Sequence, residues 1–152
     1  MNIFSLLKTD HRNVKSLLHD LTNTPETAIR KRDRLFKKIK QELVVHNEAE
    51  ESVFYNRLNA DRKERVLVFE GKDEHRIGGQ ILEELSAMDK GTEEWSAKAK
   101  VLNDLIKHHI QEEEGEVHKE AKKEFSKEEA IGIGKEFKSL KRELVNKQEG
   151  AI

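Results

Sequence analysis

Two short segments set an imidazole and a carboxylate one helical turn apart: His46 with Glu50, and His109 with Glu113. Side chains at i and i+4 share a helix face, so each pair offers a nitrogen and an oxygen ligand to one point. Both pairs fall where apolar residues belong. Phe36, Ile39, Leu43, His46, Glu50 and Val53 step by three or four residues, as do Leu102, Ile106, His109, Glu113 and Val117. That spacing is the buried seam of a bundle helix. An unpartnered carboxylate in such a seam is costly, and a bound cation supplies the compensating charge.

Two further histidines lie on seams of the same kind. His11 stands among Leu7, Val14, Leu18 and Leu21; His75 stands among Val68, Gly71, Gly78, Leu82 and Leu85. Helix four leaves a choice. His109 has Leu102, Leu105 and Ile106 behind it and Glu113 ahead, which favours it, but a rotated helix would exchange it with His108. The candidate metal ligands are therefore His11, His46, Glu50, His75, His109 and Glu113. Four imidazoles and two carboxylates suffice for two metals with the glutamates bridging, at the usual two-metal spacing of about 3.5–4 Å. Nitrogen and oxygen donors without thiolate suit iron and, less specifically, manganese, zinc or copper. Such ions would keep open positions for water, O2 or peroxide.

The elements that must carry these residues read as helices. The chain has 152 residues, 39% of them charged, with a single Pro and no Cys. This suits one soluble, helical domain and excludes disulfides, zinc–thiolate sites, iron–sulfur clusters and cysteine nucleophiles. Lys+Arg 29 against Asp+Glu 30 leaves a net charge of -1 with the signs interspersed, which gives no electrostatic case for nucleic acid or an anionic membrane. No signal peptide or membrane span is evident, which points to the cytoplasm.

Helix one ends at the turn signal Asn23-Thr24-Pro25-Glu26, with Pro25 suited to open helix two. Helix two runs to about Leu58, Asp61 caps helix three with Glu64 reaching back, and Thr92 caps helix four. Ser126 and Glu129 make a capping box for a fifth helix, about residues 127–147, with seam residues Ile133, Phe137, Leu140 and Leu144. It carries no seam His or Glu and reads as a cover on a bundle of about residues 3–122. The tail beyond Asn146 reads as frayed.

The chain also echoes itself. Nearly equal intervals separate His11 from His46 and His75 from His109, and both second members carry Glu at i+4. In an antiparallel hairpin, residues equally far from the turn meet. The midpoint of His46 and His75 falls on Ala60-Asp61, and that of His75 and His109 on Thr92, both at turns. The midpoint of His11 and His46 falls at Ala28-Ile29, beyond the first turn as drawn, an axial offset of roughly 10 Å.

These residues resemble the hemerythrin-like HHE cation-binding family: Thr-Asp-His11, His46-x-x-x-Glu50-Glu51 followed by Val53-Phe54, Asp-Glu-His75, and His109-Ile-x-x-Glu113-Glu114. The resemblance covers roughly residues 3–120. It implies an all-α, up-down-up-down antiparallel four-helix bundle, here with an extra C-terminal helix. It also implies a non-haem centre of two Fe ions, bridged by carboxylate and oxo or hydroxo, on His11, His46, Glu50, His75, His109 and Glu113. Three positions depart from the oxygen carriers of the family. Gly79 stands where they have a second helix-three His, Glu113 at four residues replaces their Asp at five, and His118-Lys119 replaces the usual Phe-Pro. Fewer imidazoles and more space favour a sensor or peroxide-handling site over a stable O2 carrier.

The expectation is thus a di-iron protein that binds O2, peroxide or NO in sensing, buffering or detoxification. The rivals are an enzyme that decomposes peroxide or activates O2, and a metal-independent structural bundle. Glu51, Glu112 and Glu114 are expected on solvated faces, and Tyr55, His19 and His118 on the surface. Trp95 is expected to pack over the bundle end. Gly71, Gly78 and Gly79 fit either close helix packing or a path for a small gas.

Overall fold

The computed structural model describes residues 1–150 and is helical nearly throughout: α1 (Ile3–Thr22), α2 (Ile29–Val53), α3 (Arg62–Ala87), α4 (Glu93–Glu112), α5 (His118–Glu124) and α6 (Lys127–Gly150). Helices α1 to α4 form the up-down-up-down bundle, with α4 packed back on α1 to close it, and α6 lies along α1 and α2. A 3-10 turn, Tyr55–Arg57, follows α2, and a π-helical turn, Glu113–Val117, joins α4 to α5.

The helix starts are written in capping residues. Asn2 accepts from the Ser5 amide at 2.9 Å, Asp61 from the Glu64 amide at 2.9 Å and Thr92 from the Trp95 amide at 3.1 Å. Glu64 returns a bond to the Ala60 amide, and Ser126 and Glu129 bond each other's amides. Each satisfies amides that a helix start leaves without partners. Among the described residues α2 and α5 lack a side-chain cap. Pro25 does not open α2, which begins at Ile29 after a turn in which the Ala28 amide bonds the Pro25 carbonyl.

Three further boundaries differ from the sequence reading. Helix α2 stops at Val53 rather than near Leu58, helix four breaks into α4, a π turn and α5, and α6 continues through Gly150, past the predicted fraying point at Asn146. Residues 151–152, the end of the single domain expected over residues 1–152, lie outside the described residues.

The bundle interior is two apolar plugs with a polar belt between them. One plug gathers Ile3, Phe4, Leu7, Val53, Phe54, Val68, Val117 and Phe137. The other gathers Val14, Leu18, Phe36, Ile39, Leu43, Leu82, Leu85, Trp95, Leu102 and Ile106. Helices α1, α2 and α3 cross from one plug to the other, as does α4 with the π turn that continues it, and the seam histidine of each falls at the crossing. Trp95 seals the far plug, edge-on to Phe36, with Nε1 donating to the Leu85 carbonyl. Beside it the buried Arg32 guanidinium ties the two loops at that end, donating to Thr24, the Lys90 carbonyl and Ser96. At the near end Gly134 lets α6 approach the start of α1, since a Cβ there would lie 2.8 Å from the Met1 carbonyl oxygen. Among the described residues no helix is long and apolar enough to cross a membrane.

Candidate metal centre

All six candidate residues meet in the polar belt. They form two overlapping sets, His11, His46, Glu50 and Glu113 on one side and Glu50, His75, His109 and Glu113 on the other. Within each set the donor atoms lie within 4.8 Å of one another. Both glutamates belong to both sets, and their oxygens divide between them. Glu50 turns Oε2 toward His46 Nε2 at 3.7 Å and Oε1 toward His75 Nε2 at 3.2 Å. Glu113 turns Oε2 toward His11 Nε2 at 3.1 Å and Oε1 toward His109 Nε2 at 3.6 Å.

Helical spacing supplies half of this geometry, because each glutamate lies one turn after a histidine of its own helix. Packing supplies the rest. The His11 and His46 rings sit 5.1 Å apart, so the connection from Asn23 to Ala28, longer than the turn first drawn, absorbs the axial offset. His75 and His109 lie 4.7 Å apart, and His109, not His108, faces inward.

The outward nitrogens are held by a ring of acids. Asp10 on α1 bonds His46 Nδ1 on α2 at 2.8 Å, and Glu51 on α2 bonds His75 Nδ1 on α3 at 2.8 Å. Glu74 on α3 bonds His109 Nδ1 on α4 at 2.7 Å, and Glu114 in the π turn returns to His11 Nδ1 on α1 at 2.7 Å. Every helix thus steadies the histidine of the next, and the last steadies that of the first. An Nδ1–H donated to a carboxylate orients the ring and leaves Nε2 for a ligand inside. Glu51 and Glu114 are therefore not simple solvated acids. Nor is α6 only a cover: Lys141 bonds both oxygens of Asp10, at 2.6 and 2.8 Å, and so reaches His46 through it.

The inner atoms are the reverse case. His11 Nε2, His46 Nε2, both oxygens of Glu50 and Glu113 Oε2 are buried without hydrogen-bond partners. His11 Nε2 and Glu113 Oε2 are only 3.1 Å apart, yet they are not aligned to bond. Among the inner atoms only His75 Nε2 and His109 Nε2 pair directly, at 3.1 Å. The others crowd a common point without bonding one another, which fits cations there, and their nitrogen and oxygen chemistry fits iron, manganese or zinc.

Charge points the same way. Burial pulls His46 down, but the Glu50 charge and the bond to Asp10 outweigh it and push it up to about 10. In His75 burial is likewise outweighed, by Glu50 and Glu51, and the value rises to about 9. Burial raises both glutamates, yet the facing imidazoles hold Glu50 below the usual carboxylate range and Glu113 well below it. Protons on the imidazoles balance the two carboxylates, and metal ions would take over that charge.

Two residues expected on the surface, Tyr55 and His118, lie buried at the site. Tyr55 is buried, stacks on His75 with ring centroids 5.4 Å apart and planes 9° apart, and donates its hydroxyl to Glu113 Oε1. Burial and the two carboxylates push the phenol well above its ordinary value, so it keeps its proton. The 3-10 turn after Val53 swings Tyr55 inward, and helical periodicity cannot be extended past the end of a helix. Gly71 makes room for it, since a Cβ there would lie 2.7 Å from the Tyr55 hydroxyl.

His118 is fully buried between the edges of Phe4 and Phe54, with Nε2 3.8 Å from Glu113 Oε2. A regular helix would set it about half a turn from His109. The extra residue of the π turn takes back roughly 100° and brings it inside. The only sequence signal was the departure at His118-Lys119 itself. His19 is exposed, as expected.

The profile of the hemerythrin HHE cation binding domain matches residues 2–121. The chain belongs to this family. An HHE domain binds metal cations, and the belt of this one has the donors to do so. Its backbone superposes on the crystal structure of a hemerythrin HHE cation binding domain-containing protein from Mycobacterium kansasii with a TM-score of 0.82, at 21% identity, covering 95% of this chain and 87% of that one. That likeness concerns the fold. Among curated proteins, a DNA nickase of Nostoc sp. is 28% identical over 146 residues, which is 95% of this HHE chain but only 40% of the nickase.

Proposed function

We propose that this HHE domain, taken as one unit over residues 1–152, holds two iron ions, with His11, His46, His75 and His109 as terminal ligands and Glu50 and Glu113 bridging. Its role is then to bind O2 or a related small oxidant, peroxide or NO, in sensing, buffering or detoxification in the cytoplasm. The observation that carries this reading is the division of the Glu50 and Glu113 oxygens between two histidine pairs. When bound, the iron pair would supply reversible electron transfer to the oxidant. The protein's part is to orient four imidazoles through the acid ring, to keep water out with the two apolar plugs, and to hold a proton on Tyr55 beside Glu113.

The test is metal analysis of the purified protein together with optical spectra recorded anaerobically and in air. Two irons per chain and an oxidant-dependent visible band are expected, with both lost in His46→Ala and His109→Ala. Full iron content in those variants would end the assignment.

Tyr55 favours a second reading, turnover of peroxide, because its phenol places a proton at the site. In that case two H2O2 give two water and one O2. Steady O2 release from added peroxide supports it, whereas a reversible spectral change without release supports binding. A metal-independent bundle predicts equal melting points with and without iron, since a ligand selective for the native state must raise the melting point. The nickase resemblance spans less than half of that protein, and nicking is not part of the proposal.

A further inference from the structure

Outside the belt, one other group of metal-type side chains converges among the described residues: Glu74, His108 and Glu112. His108 projects from the outer side of α4, with Nε2 3.1 Å from Glu112 Oε2 and 3.8 Å from Glu74 Oε2. One imidazole and two carboxylates, drawn from two helices, make a donor set for a divalent transition-metal ion. Glu70 adds a third acid to the lining of the cleft beside them.

The group also opens inward. It borders a narrow cleft of about 10 Å³ between α3 and the π turn. Glu70, Glu74 and Glu112 form the solvent-accessible rim, and Tyr55, His109 and Glu113 form the buried floor. Glu113 is 1% exposed there, and its Oε1 accepts from the Tyr55 hydroxyl and lies 3.6 Å from His109 Nε2. Glu74 belongs to both ends of the path: Oε2 faces His108, while Oε1 holds His109 Nδ1 at 2.7 Å. A wider groove reaches His75 beside Glu51 and Gly79, but no such group of donors stands at its mouth among the described residues.

We propose that Glu74, His108 and Glu112 form an outer cation site that takes a divalent transition-metal ion from solvent and passes it inward along Glu74 to the His75 and His109 half of the belt. The outer site stands on its own geometry. The hand-over rests on the proposed metal pair within the belt.

The probe is Co2+ alone, under anaerobic equilibrium dialysis of the full chain. Three equivalents are expected for the unaltered protein and two for His108→Ala or Glu112→Gln, both at exposed or half-exposed positions. Stopped-flow uptake of Fe2+ into the belt should slow about tenfold in these variants, with the final belt occupancy retained. Unchanged cobalt stoichiometry overturns the outer site, and an unchanged uptake rate overturns the hand-over. Repeating the dialysis on His46→Ala separates this proposal from the belt reading. The outer equivalent should survive that change and disappear when His108→Ala is added, whatever the belt binds.

Discussion

Tyr55 lies flat against His75, rings 5.4 Å apart and planes 9° apart, while its hydroxyl donates to Glu113 on the opposite wall of the belt. One side chain thereby packs a candidate ligand and fixes a candidate bridge. Tyr55→Phe keeps the stack and removes the donor. A hydrogen bond to a charged group contributes about 1.5–3 kcal/mol, so the metal-free variant should unfold at lower urea by about that energy. Coincident urea curves for variant and parent would show that the bond contributes nothing.

The acid ring makes a separate prediction. Glu51→Ala frees His75 Nδ1 without touching an inner atom. Outer partners of this kind typically matter by roughly 10–100-fold in metal affinity. Competition with a chromophoric chelator should show a loss of that size, with full occupancy regained at excess metal. Unaltered affinity would reduce the ring to ordinary surface pairing.

Metal uptake should release protons. His46 is held up to about 10 and His75 up to about 9, but both must be neutral to bind a metal. Apparent affinity should therefore keep rising with pH well past the ordinary imidazole value of 6.5. The metal-free fold runs the other way. Raised imidazole values contribute stability that is full below 6.5 and is lost as pH climbs through 9 and 10. Calorimetry at pH 7 in buffers of different ionisation enthalpy measures the protons released, and finding none would contradict the charge assignment.

A carboxyl outside the belt gives a stability test independent of metal. Burial, then the neighbouring Glu64 carboxyl, pushes Glu124 from 4.5 up to about 7. The folded state thus binds more protons than the unfolded one between those values, and stability falls as pH rises across the window. Glu124→Gln should raise the melting temperature at pH 8 and leave it nearly unchanged at pH 4. An equal effect at both would remove the titration as the cause.

The existence of the bundle helices and of the C-terminal helix, the caps at Asp61, Thr92 and Ser126, and the six seam positions at which His and Glu replace apolar residues are legible in the sequence; the end of α2 and the break after α4 are not. The legible features are local properties, set by a 3.6-residue period and by amides that a helix start leaves unpaired. The outer partners were half visible, since Asp10, Glu51, Glu74 and Glu114 each adjoin a seam residue. Which histidine each acid holds depends on the neighbouring helix, and no single-helix pattern contains that. Tyr55 and His118 were decided only in three dimensions. A 3-10 turn redirects one and a π turn rotates the other, and both turns break the period on which reading a face from sequence depends.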